Sequence, residues 1–111
     1  MPTAYKVLGR IASAATTLEE LYAVPAATSA VVSTLVVCNR SSSARTYRIA
    51  IKQTTGTAIA DSHYIAYDVA IAANDTTALT LGLTLATGNS IQVYASAGSS
   101  LTFQAFGSEI S

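Results

Sequence analysis

Apolar and polar residues alternate with a period of two along most of this chain, interrupted by short clusters of Gly, Ser, Asn, Thr and Pro. This period is typical of half-buried β-strands, because successive side chains of a strand point to opposite faces. In the segment 45–53, Tyr47, Ile49 and Ile51 fall on one face, whereas Arg48 and Lys52 fall on the other. We therefore predict an all-β protein. Its candidate strands lie near 4–11, 18–24, 30–39, 45–53, 64–71, 79–85, 91–95 and 101–105, the last leading on to the carboxyl terminus.

The same pattern predicts which side chains share a face within a strand. In the first strand these residues are Tyr5, Val7 and Ile11, and in the fifth they are Ile65, Tyr67, Val69 and Ile71, with Asp68 opposite. The near-continuous apolar run of 30–39 predicts a central strand, and Gly82, within a row of alternating leucines, predicts a bend or bulge.

About eight short strands at regular spacing predict an antiparallel β-sandwich, with either jelly-roll or immunoglobulin-like connectivity. Sequence periodicity leaves that choice open, because strand order depends on long-range pairing. We expect residues 1–111 to form a single domain in which 1–11 serve as an edge strand or as an arm that contacts another subunit. One segment favours an alternative: Thr16 and Glu19 form a capping-box pattern after the helix-favouring stretch 12–15, which would fit a helical turn.

Charge is scarce in this chain. Only 11% of the 111 residues are charged, against about a quarter in ordinary soluble domains, and the formal net charge is zero. A neutral protein has no long-range field that would recruit nucleic acid, and it lacks the self-repulsion that keeps monomers apart. We therefore expect a protein that associates with other protein chains and does not bind nucleic acid.

Candidate catalytic and metal-binding residues are few. Cys38 and His63 are the only residues of their types, so no disulfide or structural zinc cluster is expected, and Cys38 is predicted to be a small buried apolar residue. Asp61, Ser62 and His63 have the residue types of a hydrolytic triad, but consecutive positions cannot form the relay on an extended strand. No signal-peptide apolar region or membrane-length apolar run is present. We expect a non-enzymatic protein without cofactor or metal, outside membranes.

Basic residues gather in one turn and one strand. They are Arg40, Arg45, Arg48 and Lys52. Our hypothesis is that this basic group docks onto an acidic patch of a neighbouring subunit through bidentate arginine contacts. The alternative is that these residues form weak pairs within the same molecule, with the acidic partners Asp61, Asp68 or Asp75, or that they lie in solvent.

Several segments, in the same order and at similar spacing, resemble small structural proteins of tailed bacteriophage particles. They are 6–9, 21–26, 32–39, 65–68, 81–95 and 103–110, so the resemblance covers nearly the whole chain. It departs from the group at Gly88-Asn89, where members often have Gly-Asp, which puts a role for a carboxylate in that turn in doubt.

The resemblance implies a non-enzymatic virion component made in the host bacterial cytoplasm. We favour a capsid decoration or cement protein that forms a homo-oligomer, such as a trimer, and binds a major capsid protein or a tail protein. The alternative is a tail-fibre or baseplate-associated domain that binds a host surface polysaccharide. That alternative would require an exposed aromatic cluster, for instance Tyr64 with Tyr67 or Tyr94, because aromatic rings stack on sugars.

Overall fold

A computed structural model of the protein describes residues 3–12, 16–53, 59–98 and 100–111, apart from the side chain of Leu81. Its strands are β1 (Thr3–Ala12), β2 (Glu19–Ala23), β3 (Ser29–Asn39), β4 (Arg45–Lys52), β5 (Tyr64–Ile71), β6 (Thr76–Leu85), β7 (Ser90–Ala95) and β8 (Leu101–Ile110). A short 3-10 turn, Asp61–His63, precedes β5. The prediction of an all-β protein is confirmed, and the predicted strands match these elements, although β6 begins three residues earlier and β8 runs to Ile110.

The strands form two four-stranded antiparallel sheets that pack as a sandwich. The first sheet has the order β1-β8-β3-β6, and the second has the order β2-β7-β4-β5. Apart from β4 and β5, consecutive strands alternate between the sheets, and β1 and β8 lie side by side although they are the two ends of the chain. This arrangement is the jelly roll and not the immunoglobulin connectivity, so the structure decides what the sequence left open.

The core lies between the two sheets and follows the period-two pattern. Val32, Leu35 and Val37 of β3 and Phe103 of the neighbouring β8 belong to one cluster of buried residues with Ile49 of β4, which the second sheet supplies. The Tyr47 and Phe103 rings meet edge to face, with their centroids 6.4 Å apart. The fully buried Asn39 ends β3.

Bulges overturn two of the predicted faces. In β1, Leu8 is an extra residue between the pairs Val7–Phe106 and Gly9–Ala105. The phase therefore changes after Val7: Tyr5 and Val7 are exposed, whereas Ile11 packs against the core. A single period-two pattern across residues 4–11 was thus the wrong prediction.

The predicted apolar face of β5 is also wrong. Asp68 has a left-handed backbone with φ of 51°, and the pairing with β4 shifts on both sides of Ala66. Ala66 packs against the core, whereas Ile65 and Tyr67 are exposed and Ile71 is buried. A residue with positive φ breaks the alternation of side chains, and the apolar positions alone do not reveal it.

The segment at 16–18 forms bends, and β2 begins at Glu19, so the described part of the alternative helical turn is not helical. Residues 13–15 of that prediction lie outside the described residues. Within the described ranges, no helix is long and apolar enough to cross a membrane.

A polar contact ties the first sheet to the second near the amino terminus. The Tyr22 hydroxyl of β2 donates to Glu109 Oε2 of β8 at 2.5 Å, and Lys6 Nζ of β1 lies 2.7 Å from Glu109 Oε1. The hydrogen bonds from Lys6 and then from Tyr22 hold the pKa of Glu109 below its ordinary value of 4.5, against an opposing effect of burial. The carboxylate therefore stabilises the junction when it is ionised.

We expect Glu109→Gln to lower the free energy of unfolding by about 1–2 kcal/mol near neutral pH, because two charge-assisted contacts are lost. A carboxyl group with a lowered pKa in the folded state contributes stability above its ordinary pKa and loses that contribution as pH falls through the lowered value. The wild-type protein and the variant should therefore converge in acid. Urea denaturation at a series of pH values measures this, with Glu20→Gln on exposed β2 surface as the control. A constant difference at every pH would contradict the prediction.

Candidate functional site

The outward side of the first sheet forms a broad surface, which we call the apolar face. Residues directly opposite one another in antiparallel strands share a side of the sheet. The outward set therefore follows from the pairing of β3 with β8 and β6, and of β1 with β8. Its members are Thr3, Tyr5, Val7, Arg10, Ala12, Ser29, Val31, Thr34, Val36, Cys38, Thr76, Ala78, Thr80, Thr84, Thr102, Gln104, Phe106, Ser108 and Ile110.

Apolar and hydroxyl side chains dominate this face, and among its described members Arg10 is the one charged residue. Tyr5 is 85% exposed, and Val7 is also exposed. Four strands about 4.8 Å apart, each rising about 3.3 Å per residue over some ten residues, give about 600 Å² of flat area. A specific interface buries about 800 Å² of accessible surface per partner, so the apolar face approaches the required size.

The structure divides the four predicted basic residues between different locations. Arg40 follows β3, and its Nε donates to Thr102 Oγ1 at 2.7 Å, which places it at one end of the apolar face. Arg45 begins β4 on the core side, opposite Ile71, and its Nε is buried without a hydrogen-bond partner among the described residues. Arg48 and Lys52 lie on the outward side of the second sheet, as the alternation predicted.

Arg48 makes an ordered set of contacts on the second sheet. Its Nε lies 2.7 Å from Asp68 Oδ1, and its Nη2 lies 3.3 Å from Oδ2, so the pair is bidentate. The guanidinium carbon lies 4.1 Å from the centroid of the Tyr67 ring and 4.5 Å from that of Tyr94. The hydrogen bond that Arg48 donates to the Asp68 carboxylate raises the pKa of Arg48, so the side chain stays charged. Arg48 thus pairs with Asp68, one of the intramolecular partners predicted from the sequence.

The Tyr67 ring extends this group toward the 3-10 turn. Tyr64 and Tyr67 meet edge to face, with centroids 4.9 Å apart and ring planes at 85°. Together with Asp61, they line an open depression of about 450 Å³. We call Arg48, Tyr64, Tyr67 and Tyr94 the tyrosine cluster. It contains Tyr64, Tyr67 and Tyr94, which were named as an example of the exposed aromatic cluster that the polysaccharide-binding alternative requires; Tyr67 is exposed, whereas Tyr64 and Tyr94 are half-buried.

The remaining candidate residues have local structural roles. His63 lies in the 3-10 turn, where its Nδ1 accepts a hydrogen bond from the Ala60 amide at 3.0 Å. Cys38 is half-buried on the apolar face, so its prediction as a buried core residue was wrong. The alternation within β3 carried this signal, because Val31, Val36 and Cys38 fall out of phase with the inward residues of that strand.

The location of the apolar face was not predicted from the sequence. The near-continuous apolar run of β3 predicts a central strand, which is correct, but a central strand of a two-sheet sandwich needs only one apolar side. Apolar residues on both sides of such a strand are the signal that identifies an exposed apolar surface.

No family model matches this sequence, and no curated protein matches it. Among solved structures, a chain from the structure of infectious bursal disease virus, Gx strain, is similar with a TM-score of 0.55 at 13% identity, over 97% of this chain and 32% of that chain. A chain from the Gt strain of the same virus has a TM-score of 0.48 at 12% identity, over 96% of this chain and 32% of that chain. This chain thus spans about a third of the length of those viral chains. The likeness to the Gx-strain chain shows a shared β-sandwich fold.

Proposed function

We propose that this protein is a non-enzymatic structural component of a virus particle, and specifically a capsid decoration or cement protein of a tailed bacteriophage. It forms a homo-oligomer and attaches to the head shell through the apolar face. The observation that carries the proposal is the near absence of charge on that face, where Arg10 is the one charged member among the described residues.

The chemistry of the apolar face favours burial against other protein. Charged groups are depleted from interface cores because removing them from water is costly, and a polar rim commonly surrounds such cores. Arg40, which donates to Thr102 at one end of the face, and Arg10, which is paired with Gln104 on the edge strand β1, supply polar groups of this kind. The zero net charge of the chain adds no repulsion between copies.

The fold supports a role in a particle. Viral capsid domains are among the proteins built as eight-stranded jelly rolls, and the likeness to a chain of the infectious bursal disease virus structure agrees with this role. One fold serves many functions, so the jelly roll by itself does not identify a role in a particle. The proposal rests on the apolar face. Many copies bound through modest contacts hold firmly on a symmetric shell, because each attached contact raises the effective concentration of the next.

Substitution of Val36 by Lys tests this proposal. Val36 lies near the centre of the apolar face, paired with Gln104 on one side and Ala78 on the other. An unpaired ammonium group in a dehydrated interface costs on the order of 3 kcal/mol, so Val36→Lys should raise the Kd of self-association more than about 100-fold. Sedimentation velocity over a range of concentrations measures this effect.

Gln92→Lys places the same charge on the outward side of the second sheet and serves as the matched control. The thiol of Cys38, on the apolar face, gives a second measurement without any substitution. It should react with a maleimide in dilute protein and become protected as the protein assembles. A wild-type protein that stays monomeric at high concentration, or a Val36→Lys variant that assembles like the wild type, would contradict the proposal.

A further inference from the structure

We propose that the depression beside the tyrosine cluster is a binding site for a neutral carbohydrate. The site lies on the outward side of the second sheet, where Asp61, Tyr64 and Tyr67 line an open volume of about 450 Å³. Its size is within the range of small-molecule sites, about 300–1,000 Å³. Tyr67 is 55% exposed, so its side chain is accessible from solvent.

The ring that forms one wall of the depression is held in place before any ligand arrives. Arg48 stacks on Tyr67 at 4.1 Å, and Asp68 holds the guanidinium through both carboxylate oxygens. Tyr64 meets Tyr67 at nearly a right angle. A ring that is already ordered loses little conformational entropy on binding, so more of its contact energy becomes affinity.

The groups around the depression match the two kinds of surface that a sugar presents. The apolar C–H face of a pyranose packs on an aromatic ring, and its hydroxyl groups donate to a carboxylate or a phenol oxygen. Tyr64 and Tyr67 supply rings with polar tips, and Asp61 supplies a carboxylate on the same depression.

Electrostatics favours an uncharged ligand. Asp68 neutralises the charge of Arg48, and the guanidinium also stacks on the rings of Tyr67 and Tyr94. The tyrosine cluster therefore presents no unpaired cation to the depression. Asp61 adds a negative charge that repels phosphates and acidic sugars. The rings of Tyr64 and Tyr67 are in contact at 4.9 Å between centroids, which leaves no space between them for a stacked base or a caged cation.

The proposed site is separate from the surface that carries the proposed function. The two sheets pack face to face, so their outward sides point in opposite directions. A protein attached through the apolar face therefore presents the tyrosine cluster away from its attachment surface. Binding can be measured on the isolated protein, and it does not depend on self-association.

Binding is tested with a panel of neutral oligosaccharides of glucose, galactose, mannose and N-acetylhexosamines. Sialylated and sulfated oligosaccharides are included as acidic members. The Val36→Lys protein is used in parallel with the wild type, so that a failure of assembly does not affect the result. We expect saturable binding of at least one neutral member, measured by titration calorimetry, and no binding of the acidic members.

Two variants locate the site. Tyr67→Ala and Asp61→Asn should each weaken binding of that neutral oligosaccharide at least tenfold, while Tyr67→Phe keeps the ring and should stay within a few-fold of wild type. Tyr5→Ala removes an exposed tyrosine on the opposite sheet and is the matched control. The proposal is overturned if no neutral oligosaccharide binds at millimolar concentration, if only acidic members bind, or if Tyr67→Ala and Asp61→Asn bind like the wild type.

Discussion

Asn39→Asp should destabilise the protein by about 3–5 kcal/mol at neutral pH, although it exchanges only an amide for a carboxylate of nearly the same shape. Asn39 is 1% exposed at the end of β3. Its Nδ2 donates to the carbonyls of Ser43 at 2.9 Å and Ala72 at 3.1 Å, and it lies 3.4 Å from the carbonyl of Ile71. A carboxylate oxygen in that position would face three acceptors without a proton to share, and its charge would be buried without a cation.

The loss should depend on pH in a defined direction. Burial and the surrounding carbonyls would raise the pKa of the new carboxyl group above its unfolded value of about 3.9, because the protonated form can still donate. The folded variant would then bind more protons than its unfolded form, so the destabilisation grows as pH rises from acid to neutral. Guanidinium denaturation at several pH values measures both the size and the slope.

Asn74→Asp makes the same chemical exchange at an exposed turn residue with φ of 55° and is the control. Asparagine and aspartate both tolerate this backbone, so its effect should stay within about 0.5 kcal/mol. The prediction is contradicted if Asn39→Asp and Asn74→Asp lower the free energy of unfolding equally, or if the destabilisation by Asn39→Asp shrinks as pH rises. Either result would show that the buried carbonyls do not determine the role of Asn39.

The strands were predictable wherever local pattern and tertiary packing agree. In β4 the alternation of Tyr47 and Ile49 with Arg48 and Lys52 is the alternation of inward and outward faces in the structure. The predicted bulge at Gly82 is also confirmed, since this residue has φ of 63° and the pairing of β6 with β3 shifts beside it.

Prediction failed where a single residue changes the phase of a strand. Leu8 in β1 and Asp68 in β5 each change the side of the sheet to which the following side chains point. Neither leucine nor aspartate is a sequence signal for a bulge, as glycine is. The jelly-roll strand order could not be predicted from the sequence for another reason. The first strand, β1, pairs with the last strand, β8, and no local pattern encodes a contact between such distant segments.

The candidate surfaces were predictable in part. The alternation placed Arg48 and Lys52 on one side of β4, whereas Arg45, three positions before Arg48, lies on the opposite side of the strand. The tyrosine cluster requires β5 and β7 to flank β4, so Tyr67 and Tyr94 could be named but not brought together from sequence. An interface role for Arg40, Arg45, Arg48 and Lys52 stays a prediction.

Gly107→Ala should cost about 4 kcal/mol or more, because β8 approaches β3 too closely at this position for any side chain. A Cβ atom on Gly107 would overlap the Val31 carbonyl oxygen and would lie 3.0 Å from the Val32 Cα. Both obstacles are backbone of a central strand, so relief requires the separation of two paired strands and not the rotation of a side chain.

Gly82→Ala separates this steric cause from conformational strain. A Cβ atom at Gly82 would meet nothing within 4 Å, but the backbone there has φ of 63°. Gly82→Ala should lower the free energy of unfolding by about 1–2 kcal/mol, which is the penalty for a left-handed backbone at a residue that carries a side chain. Denaturation midpoints test whether Gly107→Ala is less stable than Gly82→Ala. Ser108→Ala, in the adjacent outward position, is the control. A Gly107→Ala protein as stable as Gly82→Ala would mean that β8 can move away from β3, and therefore that the outward surface formed by these two strands is not rigid.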